Sequence, residues 1–141
     1  MPDQALLKRE NIQPRELNVR VVDGHTLYSH VVVVTGAHLQ IFVSGQVPRD
    51  KEGNVVGKGD MGAQIEQVGK NVAACLAAAG ASLTDLVKTT TYVTDIDEFF
   101  KHAHVRMRYF GPALPTSTTV EVRRLSHPDF LVEFEVMAIA A

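Results

Sequence analysis

The first half of the chain contains two short apolar runs with the composition of β-strands. Val31 to Val34 is β-branched throughout, and a second apolar run follows from Leu39 to Ser44. Thr35 and Gly36 lie between them and are typical of a turn. The pattern predicts a hairpin within Tyr28 to Ser44.

Alternation of polar and apolar residues is clearest near the end of the chain. Thr116 to Val122 and Phe130 to Val136 alternate, and a polar turn over Ser126 to Asp129 joins them, which predicts a β-hairpin with a long loop. Residues two apart on a strand share a face. The polar side chains of this region are therefore predicted to form one face, namely Ser117, Thr119, Glu121, Arg123, Glu133 and Glu135. The pattern alone favours a solvated sheet face.

Two helical patterns lie between these regions. After Asp60, which can cap a helix, apolar residues recur at three- and four-residue spacing until Gly80. A second capped pattern begins at Asp95 and ends near Gly111. Val87 to Val93 alternates between the two helices and predicts a strand.

Two further segments have weaker periodicity. Residues 1 to 20 carry mixed charges, so that a partly irregular segment with one short edge strand, such as Leu17 to Val21, is predicted there. Gln46 to Asp60 is rich in glycine and predicts a loop that acts as a mobile flap.

The order strands, helix, strand, helix, strands indicates an α+β fold with a mostly antiparallel sheet and helices on one face. A chain of 141 residues is most simply one domain, spanning residues 1 to 141. This length can bury a core without disulfides or a metal. The composition, 45% hydrophobic and 21% charged, is that of an ordinary globular protein.

Charge and cysteine content narrow the class of protein. A formal net charge of -2 and a pI near 6.3 lack the basic excess that is typical of nucleic-acid binding. The single cysteine, Cys75, fits a reducing compartment and is interpreted as a small buried apolar residue. No run approaches the roughly 18 apolar residues of a membrane span, and MPDQALLKRE lacks the apolar core of a signal peptide. We expect a soluble cytoplasmic protein.

Generic motifs identify little chemistry. None of the six histidines forms a His-x-x-x-His pair or has a cysteine partner, so neither a metal nor another cofactor is predicted. Ser44 lacks the glycine two residues earlier that a hydrolase elbow requires. Ser44, Gly45 and Gln46 remain, at the end of a predicted strand. Gly45 either lets a ligand approach the backbone closely or is a plain turn glycine.

Four segments together carry a more specific signal. They are YSH at Tyr28 to His30, FVSGQVP at Phe42 to Pro48, AAGASLTDLVKTTTYVTDIDEF at Ala78 to Phe99, and LPTSTTVEVRRL followed by VEFEVMAIA. In this order they resemble the Rid (reactive intermediate deaminase) family, historically described as endoribonuclease or translation inhibitor. The resemblance implies a chorismate-mutase-like fold and a homotrimer with small-molecule clefts between neighbouring subunits.

The resemblance also implies roles for individual residues. In the family's deaminases a glutamate on the final strand positions the attacking water, and this position holds Glu133. A tyrosine and a Ser-Gly-Gln segment line the cleft, and they match Tyr28 and Ser44 to Gln46. Ser117 and Thr119 are expected on the same wall.

One family residue is missing. An arginine that clamps the substrate carboxylate is replaced here by Ser117, which offers one neutral hydrogen bond in place of a contact of about 1.5 to 3 kcal/mol. Ala103 stands where the family has a helix asparagine. Arg123 lies too far along the strand to substitute within one chain. Arg106, Arg108 or an arginine of a neighbouring subunit could reach the cleft, and the sequence does not decide between them.

Three functions remain open at this point. One is hydrolysis of a reactive imine or enamine with altered substrate choice, such as a substrate without a carboxylate. Another is non-enzymatic binding of a small metabolite by a regulatory trimer. RNA cleavage is the third, and the acidic net charge disfavours it.

Overall fold

The computed structural model describes residues 6–141, in which helices cover one face of a four-stranded sheet and two small two-stranded sheets lie beside it. The strands are β1 (Lys8–Ile12), β2 (Val21–Val22), β3 (His25–Thr26), β4 (Val31–Thr35), β5 (Leu39–Gln46), β6 (Leu86–Val93), β7 (Thr116–Glu121) and β8 (Val132–Ala140). The helices are α1 (Met61–Ala78), α2 (Ile96–Phe100) and α3 (Ala103–Phe110). The predicted α+β class is confirmed.

The main sheet has the order β5-β8-β6-β7. Strand β8 runs antiparallel to both β5 and β6, whereas β6 and β7 run parallel. Strand β1 pairs with β4, and β2 pairs with β3, both antiparallel. The side of the main sheet that packs against α1 and α3 is here called the inner face, and the opposite side is called the outer face.

Both predicted hairpins are wrong in their pairing. Strands β7 and β8 do not pair with each other, because β6 lies between them. Strand β4 likewise pairs with β1, while β5 joins the main sheet beside β8. Alternation identifies a strand and its faces but contains no information about its partner, and a long connection leaves room for another strand to insert.

The strand predicted at Leu17 to Val21 is also misplaced. The first strand is β1, whose five residues all pair with β4. Its sequence, KRENI, has no regular alternation, so tertiary pairing with a β-branched partner decides its conformation. Residues 1–5 of the predicted N-terminal segment lie outside the described residues.

The first predicted helix is confirmed. The side chain of Asp60 accepts a hydrogen bond from the Ala63 backbone N–H, and α1 ends before Gly80, whose φ is +76°. Among residues 6–141 no helix has the length and apolarity of a membrane span.

The second predicted helix is broken into α2 and α3 at His102, whose backbone is not helical. The break allows one aromatic residue of each piece to contact the same ring. Phe99 and Phe110 lie 6.5 and 4.7 Å from Phe134, measured between ring centroids, and all three are buried.

Gln64 joins α1 to two loops. This residue is completely buried, and its amide nitrogen donates to the carbonyls of Gly57 (3.0 Å) and Asp129 (2.8 Å). Its amide oxygen accepts from the backbone N–H of Leu131 at 2.7 Å. Asn71 donates to carbonyls of the same glycine-rich loop. The predicted flap is therefore hydrogen-bonded to α1, and its mobility stays a prediction.

Candidate functional site

The predicted site residues lie on opposite faces of the main sheet. Ser117 is in register with Thr89, which is buried under the helices, and Thr119 follows two residues later. Glu133 is in register with Tyr92, on the outer face. Because registered neighbours share a face, Ser117 and Thr119 belong to the inner face and Glu133 to the outer one. The single polar face predicted from a hairpin is therefore wrong, since the insertion of β6 changes the register.

On the outer face, Glu133 lies over Gly45. A Cβ atom at Gly45 would overlap the Glu133 carboxylate, so the glycine is required for this close approach. The register between β5 and β8 shifts after Val43, which is a β-bulge that places the Ser-Gly-Gln segment beside Glu133. Ser44 is exposed, and its carbonyl accepts from the Gln46 side chain at 3.1 Å. The structure thus brings Glu133 together with the predicted Ser-Gly-Gln segment on the outer face.

The Glu133 carboxylate is prepared to accept a proton. Partial burial raises its pKa above the usual carboxylate value, and the charge of Glu135 on the same face raises it further. In the part of the chain that the structure describes, no side chain forms an ion pair or hydrogen bond with it. An unpaired carboxylate of raised pKa is a stronger base than an ordinary one once it is ionised, and it is free to hold a water molecule.

On the inner face, a cavity of about 410 Å³ holds the second group of predicted residues. Tyr28, Ser117 and Thr119 line it together with residues of α2 and α3. The Tyr28 ring packs edge-on against His30, with 5.1 Å between centroids. The Tyr28 hydroxyl accepts from the backbone N–H of Arg20 at 3.4 Å. These contacts fix the ring at the wall of the cavity.

Arg106 is the functional candidate that the sequence left undecided. Its side chain is buried at 1% exposure, and one terminal nitrogen donates to Ser117 Oγ at 3.0 Å. Arg108, by contrast, is exposed and pairs with Glu66 at 2.9 Å, and no contact joins it to the cavity. The signal that could have identified Arg106 is its place in an apolar stripe, three residues after the buried Ala103 and four before the buried Phe110.

Within one chain the two groups remain apart. Glu133 and the Ser-Gly-Gln segment face outward, whereas Tyr28 and Ser117 line the inner cavity. A small ligand cannot contact both through the sheet.

The overlap at Gly45 makes a specific prediction. We expect Gly45→Ala to displace the Glu133 side chain, which is flexible at its end, while the fold is retained. If Glu133 is the base, the activity should fall about 10- to 100-fold, because a misplaced group loses most of its effect. Steady-state rates and thermal unfolding of both forms would check this. Gly53→Ala, at a φ of +86° with nothing near the added methyl, strains the backbone away from the site, and full activity of that variant would show that lost stability alone does not lower the rate. A fully active Gly45→Ala protein would contradict the assignment.

Comparisons with known proteins give one consistent family. The sequence model described as Endoribonuclease L-PSP matches residues 21–140. A RutC family protein of Pyrococcus abyssi is 45% identical over 98 residues, which are 70% of this chain and 76% of that protein. The 2-iminobutanoate/2-iminopropanoate deaminase of Salmonella typhimurium is 34% identical over 102 residues, 70% of this chain and 78% of that protein.

A solved structure supports the same family. The Rid family protein YyfB from Yersinia pestis, a protein of unknown function, superimposes with a TM-score of 0.78 at 27% identity. The match covers 92% of this chain and 97% of that one.

Proposed function

This chain belongs to the Endoribonuclease L-PSP family, which includes the Rid proteins, and from that premise we propose that it hydrolyses a reactive imine or enamine to a carbonyl compound and ammonia. The observation that carries the proposal is the Glu133 carboxylate, unpaired and of raised pKa, over the backbone of Ser44 to Gln46. The relative from Salmonella typhimurium is by its name a deaminase of 2-imino acids.

The proposed reaction needs one base and one ordered water. Glu133 accepts a proton from the water as the water oxygen forms a bond to the C=N carbon. The imine reacts in its protonated iminium form, C=NH2⁺, which it reaches by taking a proton from solvent, so addition of the hydroxyl gives a neutral carbinolamine with one hydroxyl and one amino group. Glu133 then returns its proton to the nitrogen. As the C–N bond breaks and ammonia leaves, the ionised Glu133 accepts the hydroxyl proton and the carbonyl forms; that proton then passes to the ammonia or to solvent. An enamine first gains a proton at carbon to become the imine. No step requires a cofactor.

We propose further that the working unit is a homotrimer. The separation of Glu133 from Tyr28 and Ser117 supports this, since a second copy is needed to bring both groups to one ligand. The outer face also exposes Phe42 at 73%, next to a depression of about 380 Å³ that is lined by Ser44 and Glu135. Contact between copies would bury this aromatic side chain. Light scattering should give three times the chain mass of 15.4 kDa, and a monomer at assay concentration would count against the trimer.

Hydrolysis is tested by generating imines in solution and measuring ammonia release with and without the protein. An amino-acid oxidase supplies 2-iminobutanoate, and an uncharged imine serves for comparison. Acceleration of either supports the proposal. No acceleration of any imine would overturn it. A ligand that binds without turnover would then identify a metabolite-binding protein.

A further inference from the structure

Arg106 is a buried cation without an acidic partner. Burial lowers its pKa to about 10, so the guanidinium still carries its charge at neutral pH. Its acceptors are neutral: the Leu27 carbonyl at 2.9 Å, Ser117 Oγ at 3.0 Å and Met107 Sδ at 3.5 Å. Its Nε has no partner among residues 6–141. Within those residues no carboxylate forms an ion pair with it. A buried charge without a counter-ion is costly, which indicates that an anion completes the site.

The cavity beside Arg106 has a positive lining. Its ionisable side chains include Arg20, His30 and Arg106, and no carboxylate lines it. Arg20 is held over the Phe100 ring, with its guanidinium carbon 4.4 Å from the ring centroid. A cavity that collects cationic groups and excludes acids favours an anionic ligand.

Ser117 connects this charge to the cavity. Its oxygen accepts a hydrogen bond from Arg106, so the hydroxyl hydrogen must point away from the guanidinium. Ser117 lines the cavity, and no acceptor for this hydrogen lies among the described residues. A hydroxyl that already accepts from a cation is polarised and becomes a stronger donor. A ligand carboxylate in the cavity would be its natural acceptor.

We propose that Arg106, acting through Ser117, is the residue that selects a carboxylate-bearing ligand in this cleft. The positive charge comes from helix α3 and not from strand β7. The substrate class is then a 2-imino acid, in contrast to the expectation of an uncharged substrate that Ser117 alone suggests. The inference rests on the proposed function for the reaction, but ligand binding tests it without turnover.

The experiment measures binding of 2-oxobutanoate and of the uncharged 2-butanone by calorimetry, together with kcat and KM for 2-iminobutanoate. We expect wild type to prefer the acid. Arg106→Met should weaken binding of the acid about tenfold or more and raise KM, with a smaller change in kcat. Binding of 2-butanone should not change. Arg106→Lys should lose less than Arg106→Met, because the charge is kept.

The matched control is Arg108→Met, which removes the exposed arginine two residues away in the same helix and should leave binding unchanged. Ser117→Ala keeps the guanidinium but removes the hydroxyl, and it should also weaken binding of the acid. If Arg106→Met does not fold, Ser117→Ala and Arg106→Lys decide the question. Unchanged affinity of the folded variants for the acid overturns the inference.

The two proposals fail differently. Binding of 2-oxobutanoate that depends on Arg106, without hydrolysis of any imine, would remove the proposed function and support the anion site. Hydrolysis of 2-iminobutanoate with the same KM in wild type and Arg106→Met would support the proposed function and overturn the anion site at Arg106.

Discussion

Glu133→Gln should lower kcat for imine hydrolysis about 10²- to 10⁴-fold while KM changes little. The amide has almost the shape of the carboxylate but cannot accept the proton of the attacking water. Ammonia release under saturating imine measures the effect. The control is Glu135→Gln, on the same strand and the same face two residues later, which should keep most of the activity. Equal losses in the two variants would show that the face needs negative charge and not a base at Glu133.

The raised pKa of Glu133 gives the reaction a characteristic pH dependence. Only the ionised carboxylate can accept a proton, so kcat/KM should fall as the pH drops through the raised pKa, above the usual range for glutamate. Because the charge of Glu135 contributes to the shift, Glu135→Gln should move this decline to lower pH. A pH profile with no such movement would mean that burial alone sets the pKa.

The same shift has a consequence for stability. The folded protein binds the Glu133 proton more tightly than the unfolded chain, so this group stabilises the fold below the unfolded-state pKa, and the contribution is lost as the pH rises through the folded-state pKa. Glu133→Gln should therefore be at least as stable as wild type at neutral pH, and the difference should shrink in acid. Thermal unfolding over a pH series would show this.

Gln64→Leu should lower the free energy of unfolding by about 2 to 4 kcal/mol. The leucine fills a similar volume, but the N–H of Leu131 and the carbonyls of Gly57 and Asp129 lose their partner in a buried place. Urea unfolding at fixed protein concentration provides the measurement. Lys70→Leu, on the exposed side of the same helix, should have little effect. A similar loss in both variants would indicate that hydrophobic substitution in α1 is itself harmful.

Local signals in the sequence were sufficient for individual elements. The cap at Asp60 and the glycine at Gly80 bound α1 as predicted, and alternation located β6, β7 and β8. Local signals could not predict which strands pair with each other. A strand has the same periodicity whether its neighbour is the next strand along the chain or one that enters from elsewhere, and here β6 entered between β7 and β8.

For the candidate site, too, the sequence predicted some features and not others. The family resemblance assigns Glu133, Tyr28 and Ser117 to one cleft, but the sequence does not show that one chain places Glu133 and Ser117 on different faces. Helical periodicity places Arg106 and not Arg108 in the apolar stripe of α3, but it does not say whether that stripe can bury a guanidinium. Only the packing of α3 against Leu27 and Ser117 does.

The placement of Glu133 and Ser117 on opposite faces of one sheet leads to subunit complementation in the proposed trimer. A chain with Glu133→Gln keeps its inner cavity, and a chain with Arg106→Met keeps its outer base. When the two exchange subunits, some clefts combine both intact halves. Random mixing in equal amounts should restore roughly a quarter of the sites, although each variant is defective alone. At imine concentrations below KM, where Arg106→Met is impaired, the mixture should be more active than either variant alone.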